Sequence, residues 1–114
     1  MRMRELKTTI AGVVLALAQG LSHADDINEA VGREIYDSYC GACHGFDGMS
    51  LLPNTPSFAS GERMKKSDGE LLDSIRSGKG AAMPAWAGIL SDEQCKTVLR
   101  FIRVSVNHTV RAAD

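Results

Sequence analysis

The chain has 114 residues, of which 44% are hydrophobic and 24% charged, with a formal net charge of −1. That length allows one small domain, and the balance of apolar to charged residues is that of a folded globule, which excludes a disordered chain. Three Phe, two Tyr and one Trp make a thin core, so a bound group or a cross-link is expected to help fill the middle.

The first stretch, "MRMRELKTTIAGVVLALAQGLSHADD", starts with basic Arg2, Arg4 and Lys7, runs through apolar residues from Ile10 to Leu21, and ends with small Ser22 and Ala24 around His23. This is the pattern of a secretory signal cut after Ala24. The apolar run is shorter than the ~20 residues that a bilayer span needs, and Gln19 and Gly20 interrupt it. Residues 1–24 are therefore expected to be a signal peptide, and 25–114 the domain. Ten basic and thirteen acidic side chains follow Ala24, a net of −3. Nucleic acid is thereby excluded as an expected partner, since a phosphate backbone calls for a basic face.

From Asp26 to Tyr39, the residues Ile27, Val31 and Ile35 recur every fourth position with Tyr36 and Tyr39 beside them, which predicts a helix with these side chains inward. Gly32 sits inside that helix. A glycine there costs up to about 1 kcal/mol relative to alanine, so another backbone is expected to pass close by. "GFDGMSLLPNTPSFASGER" shows no period and reads as a structured loop. A second helix is expected after Ser67, with Glu70 completing a capping box, Leu71, Leu72 and Ile75 inward, and Gly78 ending it. "GKGAAMPAWAG" is a tight loop. The last helix opens on the cap pair Ser91 and Gln94 and lines one side with Cys95, Val98, Leu99, Ile102 and Val106, widened by Phe101 and Val104. The tail after His108 is expected to fray. With no alternating stretch, the fold class is all-α with long ordered loops.

Export changes what three cysteines mean, because thiols outside the cytosol tend to pair and an odd count leaves one over. Cys40 and Cys43 belong together in "CGACHG", and Cys95 remains, a buried thiol or one side of an intermolecular disulfide. The C-x-x-C-H spacing suits two thioethers to one porphyrin, with the next imidazole reaching the iron. A zinc site would need four ligands, and Cys95 and His108 stand alone without a partner motif. A redox dithiol belongs at a helix start after a strand, which this all-α pattern does not supply. Haem also needs a ligand on its second face. Met83, 39 residues after His44 and followed by Pro84, is placed for it. Met64 lies between charged residues, Met49 follows His44 by only five, and His108 is the outside candidate.

The segments "GREIYDSYCGACHG", "RSGKGAAMPAW" and "LSDEQCKTVLRFIR" resemble the class I cytochromes c, especially the short bacterial monohaem kind. The resemblance covers residues 32–103. It implies a small cytochrome c fold, three main helices and long loops around one covalent haem c with its iron. It further implies thioethers at Cys40 and Cys43, with His44 as the proximal ligand and Met83 as the distal one. It sets Gly32 against Phe101 where the first and last helices cross. A proline carbonyl is expected to receive the His44 ring N–H; Pro56 matches best and Pro53 next, although Thr55 stands where the family commonly has glycine. Trp86 is expected at the haem edge or in the core, and Cys95 replaces an aliphatic residue.

The expected function is one-electron transport in the periplasm between larger redox proteins, with no enzyme activity and no stable membrane insertion once the signal is cut. Two other readings stay open. One is a haem subunit of a periplasmic dehydrogenase or oxidase complex, and the other a haem sensor or enzyme with a labile Met83. Lys65, Lys66, Arg76 and Lys79 form either a docking rim or a solvated face.

Overall fold

Two serines set where helices begin. Ser67 accepts from Glu70 N–H while the Glu70 carboxylate accepts from Ser67 N–H, and Ser91 and Gln94 make the same reciprocal pair. Each box satisfies donors that a helix start leaves free. In this computed structural model, which describes residues 24–107, the elements are helix α1 (24–39), the short α2 (Gly41–His44), a 3-10 turn (Phe58–Ser60), α3 (Asp68–Ser77), α4 (Asp92–Phe101) and a π-helical turn (Ile102–Val106). Among the described residues there is no strand, and one isolated antiparallel bridge joins Lys79 to Met83. The expected all-α fold with three main helices is what the chain adopts. The expected signal peptide, residues 1–24, lies outside the described residues except for Ala24, as does the tail from His108.

The core gathers Ile35 and Tyr36 from α1, Leu71 and Ile75 from α3, Leu90, and Cys95, Val98, Leu99 and Phe101 from α4, extended by Ile102 and Val106 of the π turn. Helix α3 packs on α4, and the 3-10 turn packs on the π turn. Helix α1 meets α4 at Gly32. A Cβ built there would lie 2.6 Å from Phe101 Cβ and 3.2 Å from the Thr97 carbonyl oxygen, a space no other residue fits. Tyr36 stacks obliquely on the same Phe101 ring, with centroids 5.7 Å apart, and the Arg33 guanidinium lies 5.1 Å from that ring's centre.

Four apolar positions depart from the expected pattern: Ile27, Val31, Val104 and Tyr39, which is 40% exposed although its ring meets Trp86. Ile27 is 62% exposed and Val31 41% exposed, so the fourfold stripe is not the buried face of α1. A repeat of four advances about 40° at each step around a helix of 3.6 residues per turn. Ile27 therefore stands about 80° away from Ile35, while α4 packs on α1 at Gly32 and Tyr36, both against Phe101. Val104, at 60%, is turned outward because the π turn changes the register after Phe101.

Arg103, within that turn, bonds three groups at the start of α3. Its Nε donates to Asp68 Oδ1 at 2.7 Å, and its terminal nitrogens donate to the Met64 and Lys66 carbonyls at 3.0 and 2.8 Å. Met64, although flanked by charges in the sequence, packs on the core through its side chain.

Candidate functional site

Helix α1 breaks for one residue at Cys40 and resumes as α2, with Cys40 N–H donating to Tyr36 C=O at 2.8 Å and His44 N–H to Cys40 C=O at 2.9 Å. The motif is thus presented from the end of a packed helix. Tyr36, fully buried, donates its hydroxyl to Gly45 C=O at 2.7 Å and holds the turn that follows His44.

His44 is 8% exposed. Its Nδ1 lies 3.0 Å from the Pro56 carbonyl oxygen, and a carbonyl only accepts, so Nδ1 carries the hydrogen and donates it. That tautomer leaves the Nε2 lone pair free, as a metal-ligating imidazole requires. Burial pushes the His44 pKa down, with the bond to Pro56 partly opposing it, so the ring is held neutral. Phe58 stacks on its face, with centroids 4.4 Å apart and planes 18° from parallel. Pro56, and not Pro53, supplies the carbonyl. The Phe58 stack escapes sequence reasoning because Phe58 lies in a loop without period.

Cys40, half-buried, packs on the core; Cys43 is exposed, and neither forms a disulfide. Burial, with the Cys95 and Cys43 thiols nearby, pushes Cys40 up to about 12. A redox dithiol needs the opposite shift. Among the described residues, no group of three or more His, Cys, Asp or Glu converges to hold a metal ion, which removes the zinc reading for those residues; His108 is outside them. Cys95 is fully buried.

Met83 reaches the same core from the other side of the sequence. Lys79 N–H donates to Met83 C=O at 3.0 Å and Met83 N–H to Lys79 C=O at 3.4 Å, closing a tight loop. Gly78 makes it feasible. Its φ is +76°, and a Cβ there would lie 2.5 Å from the Met83 carbonyl oxygen, so only glycine fits. Trp86 N–H and Ala87 N–H then donate to Ile75 and Arg76 carbonyls at 3.1 and 3.2 Å, anchoring the loop to the end of α3. Met83 and Trp86 both pack on the core, half-buried. Arg76 is taken up by Asp92, with Nε to Oδ1 at 2.9 Å, and so leaves the set of free basic side chains near Met83.

These residues fit a covalently held haem. Two unpaired thiols stand at the required spacing beside an imidazole of the right tautomer. Phe46, Met49, Leu51 and Leu52, the large apolar side chains following His44, are all exposed in the polypeptide, an apolar surface that a flat hydrophobic group would cover.

Residues 28–102 match the family model described as cytochrome C oxidase, cbb3-type, subunit III. The chain is 30% identical to the cytochrome c6 of Tetradesmus obliquus over 77 residues, 64% of this chain and 85% of that one. It is 29% identical to the chloroplastic cytochrome c6 of Chlamydomonas reinhardtii over 92 residues, 77% of this chain and 62% of that protein, less than two thirds of its length. It is also 29% identical, over 62% of its own length, to the cbb3-type cytochrome c oxidase subunit CcoP of Azospirillum brasilense, of which it spans only 26%. In fold it is similar to the KustC0563 c-type cytochrome, with a TM-score of 0.59 and 26% identity over 67% of this chain and 96% of that one. A matched family model, a shared fold and a C-x-x-C-H motif whose histidine donates through Nδ1 and leaves Nε2 free together place this chain in the class I c-type cytochromes, the electron carriers that hold haem c covalently.

Proposed function

We propose that the protein is an exported one-electron carrier of the periplasm, its haem bonded to Cys40 and Cys43 and its iron held between His44 and Met83. The observation that carries this reading is the His44 to Pro56 hydrogen bond, which orients the ring and leaves Nε2 free. Bound haem iron supplies a one-electron couple. The side chains would do the rest: Cys40 and Cys43 would hold the group covalently, and Phe58, stacked on His44, limits rotation of its ring. A methionine thioether is a soft ligand that favours the ferrous state. Export is supported by the pattern of residues 1–24; a carrier without enzyme activity would follow from His44 and Met83 both holding the iron, which would leave a substrate no place on it. Trp86, three residues after Met83 and packed like it on the core, is assigned to the haem edge. Among the described residues no helix is long and apolar enough to cross a membrane.

The loop of Met83 favours a carrier over a sensor. Its backbone is bonded at Lys79 and anchored through Trp86 and Ala87, so departure of the sulfur would have to work against a braced chain. The partners are proposed to be redox proteins that donate and accept electrons in brief contacts, whose interfaces are typically small. A second reading, a haem module within an oxidase complex, is favoured by the matched family and by exposed Ile27 and Val31, one turn apart on α1.

The test uses protein matured in a host that attaches haem c. Its mass should include one haem, and its ferric spectrum should show a far-red methionine–sulfur band that Met83→Ala abolishes without loss of the covalent haem. Reduced parent protein should ignore CO. A mass without haem, or a Met83→Ala spectrum identical to the parent's, rejects the assignment. An oxidase module should instead be recovered in a stable complex from the native membrane.

A further inference from the structure

The peptide group between Pro56 and Ser57 is bonded at both of its ends. Its carbonyl accepts from His44 Nδ1 at 3.0 Å, and its N–H donates to Glu62 Oε2 at 2.7 Å. Carboxylate, peptide and imidazole thus form one line of hydrogen bonds. Local structure brings Glu62 there. The 3-10 turn Phe58–Ser60 folds the chain back on itself, and Glu62 N–H donates to Ser57 C=O at 3.3 Å, so main chain and side chain of Glu62 both grip Ser57. The loop after His44 holds the turn in place: Ser50 N–H donates to Ser57 Oγ at 2.9 Å, and Ala59 N–H to Gly48 C=O at 3.0 Å.

We propose that Glu62 is a positioning residue that tunes the haem iron through the Pro56–Ser57 peptide, its carboxylate making the Pro56 carbonyl a stronger acceptor for the His44 ring. Hydrogen bonds in series polarise one another, and bonds to an ionised acceptor are roughly twice as strong as neutral ones. A ligating histidine that donates to a carboxylate or carbonyl becomes a more basic ligand. Here the carboxylate acts from one peptide away. A more electron-rich His44 favours the ferric state and lowers the reduction potential. Glu62 and its bond to Ser57 N–H are exposed, so salt screens the field that the charge sends through solvent, whereas polarisation passed along hydrogen bonds in direct contact needs no path through solvent. This inference rests on the assignment of His44 as an iron ligand.

The experiment compares haem-loaded parent protein with Glu62→Gln and Glu62→Ala. Glutamine keeps an acceptor at the same reach and drops the charge; alanine removes the acceptor. The midpoint potential is measured in low salt and in about 1 M salt, where the screening length falls to about 3 Å. The resonance of the His44 ring N–H is followed by NMR in the diamagnetic ferrous protein. Both variants should titrate at a higher potential than the parent, the rise should survive high salt, and the ring N–H signal should move upfield as its bond weakens. An unchanged potential overturns the proposal. So does a rise that vanishes in high salt while the ring N–H signal stays put, since Glu62 would then be only a cap for the turn or a surface charge. Should Glu62→Ala lose its fold, Glu62→Gln alone decides. Failure of the underlying assignment shows separately, as a parent protein whose spectrum does not change when His44 is replaced.

Discussion

Tyr39 meets Trp86 edge-on, with ring centroids 5.3 Å apart and planes at 63°. Tyr39 immediately precedes Cys40, and Trp86 follows Met83 by three residues. The contact therefore ties the end of α1 to the loop that presents Met83. Trp86 is itself fixed to α3 through its N–H bond to the Ile75 carbonyl. The bond to α3 is made by the Trp86 backbone and the contact with Tyr39 by its ring, so three parts of the fold converge on this one residue.

Aromatic pairs of this geometry contribute about 0.5–1.5 kcal/mol beyond the area they bury. Tyr39→Leu, Trp86→Leu and the double variant should give a coupling energy in that range in denaturant melts of the haem-loaded protein. The far-red band assigned to Met83 should also disappear at a lower temperature in each variant than in the parent. A coupling energy near zero would show that the rings touch without bracing the loop.

Gly32→Ala should destabilise the protein. The new methyl would lie 2.6 Å from Phe101 Cβ, and overpacking of this kind costs about 1–3 kcal/mol, against up to about 1 kcal/mol gained in helix propensity. The obstruction is at Cβ, which every residue but glycine carries. Phe101→Ala should therefore fail to rescue it, and the double variant should melt below Phe101→Ala alone. Rescue in a thermal melt would mean that the ring, and not the backbone approach, sets the crossing.

Cys95 should resist thiol reagents for as long as the domain is folded. It is fully buried in the core, and burial raises its pKa, so both access and thiolate are lacking. Labelling followed by mass should track unfolding as guanidinium is added. Cys95→Ser should cost about 1–3 kcal/mol, the penalty for a buried hydroxyl without a partner. Labelling of the native protein would reveal an opening of α4 that its packing does not lead one to expect.

Acid should weaken the start of α3. The Glu70 pKa lies below its ordinary 4.5, chiefly because its carboxylate accepts from Ser67 N–H. For a depressed carboxylate, the stabilisation is present above the unfolded pKa and is lost as pH falls through the folded one. Glu70→Gln, which keeps an acceptor but cannot titrate, should lose less stability across that acid window than the parent. Equal acid sensitivity in the two would show that the box does not depend on the charge.

What the order of residues determined by itself is local or chemically specific. Ser67 with Glu70 and Ser91 with Gln94 lie three residues apart, so one turn of helix suffices to join them, and two thiols with an adjacent imidazole name their cofactor by spacing. Gly32 pointed to a close approach because a mid-helix glycine needs a reason, and the family resemblance supplied Phe101 and Pro56 as partners. Tertiary structure decided the remainder. Ile27 and Val31 fit a helical stripe yet face outward, because burial depends on where α4 crosses α1 and not on periodicity alone. Glu62 reaches Ser57 only because a 3-10 turn doubles back, and Arg103 reaches Met64, Lys66 and Asp68 across 35 to 39 residues. Interactions across a single turn are encoded by neighbouring residues, whereas contacts between distant segments form only once packing has brought them together.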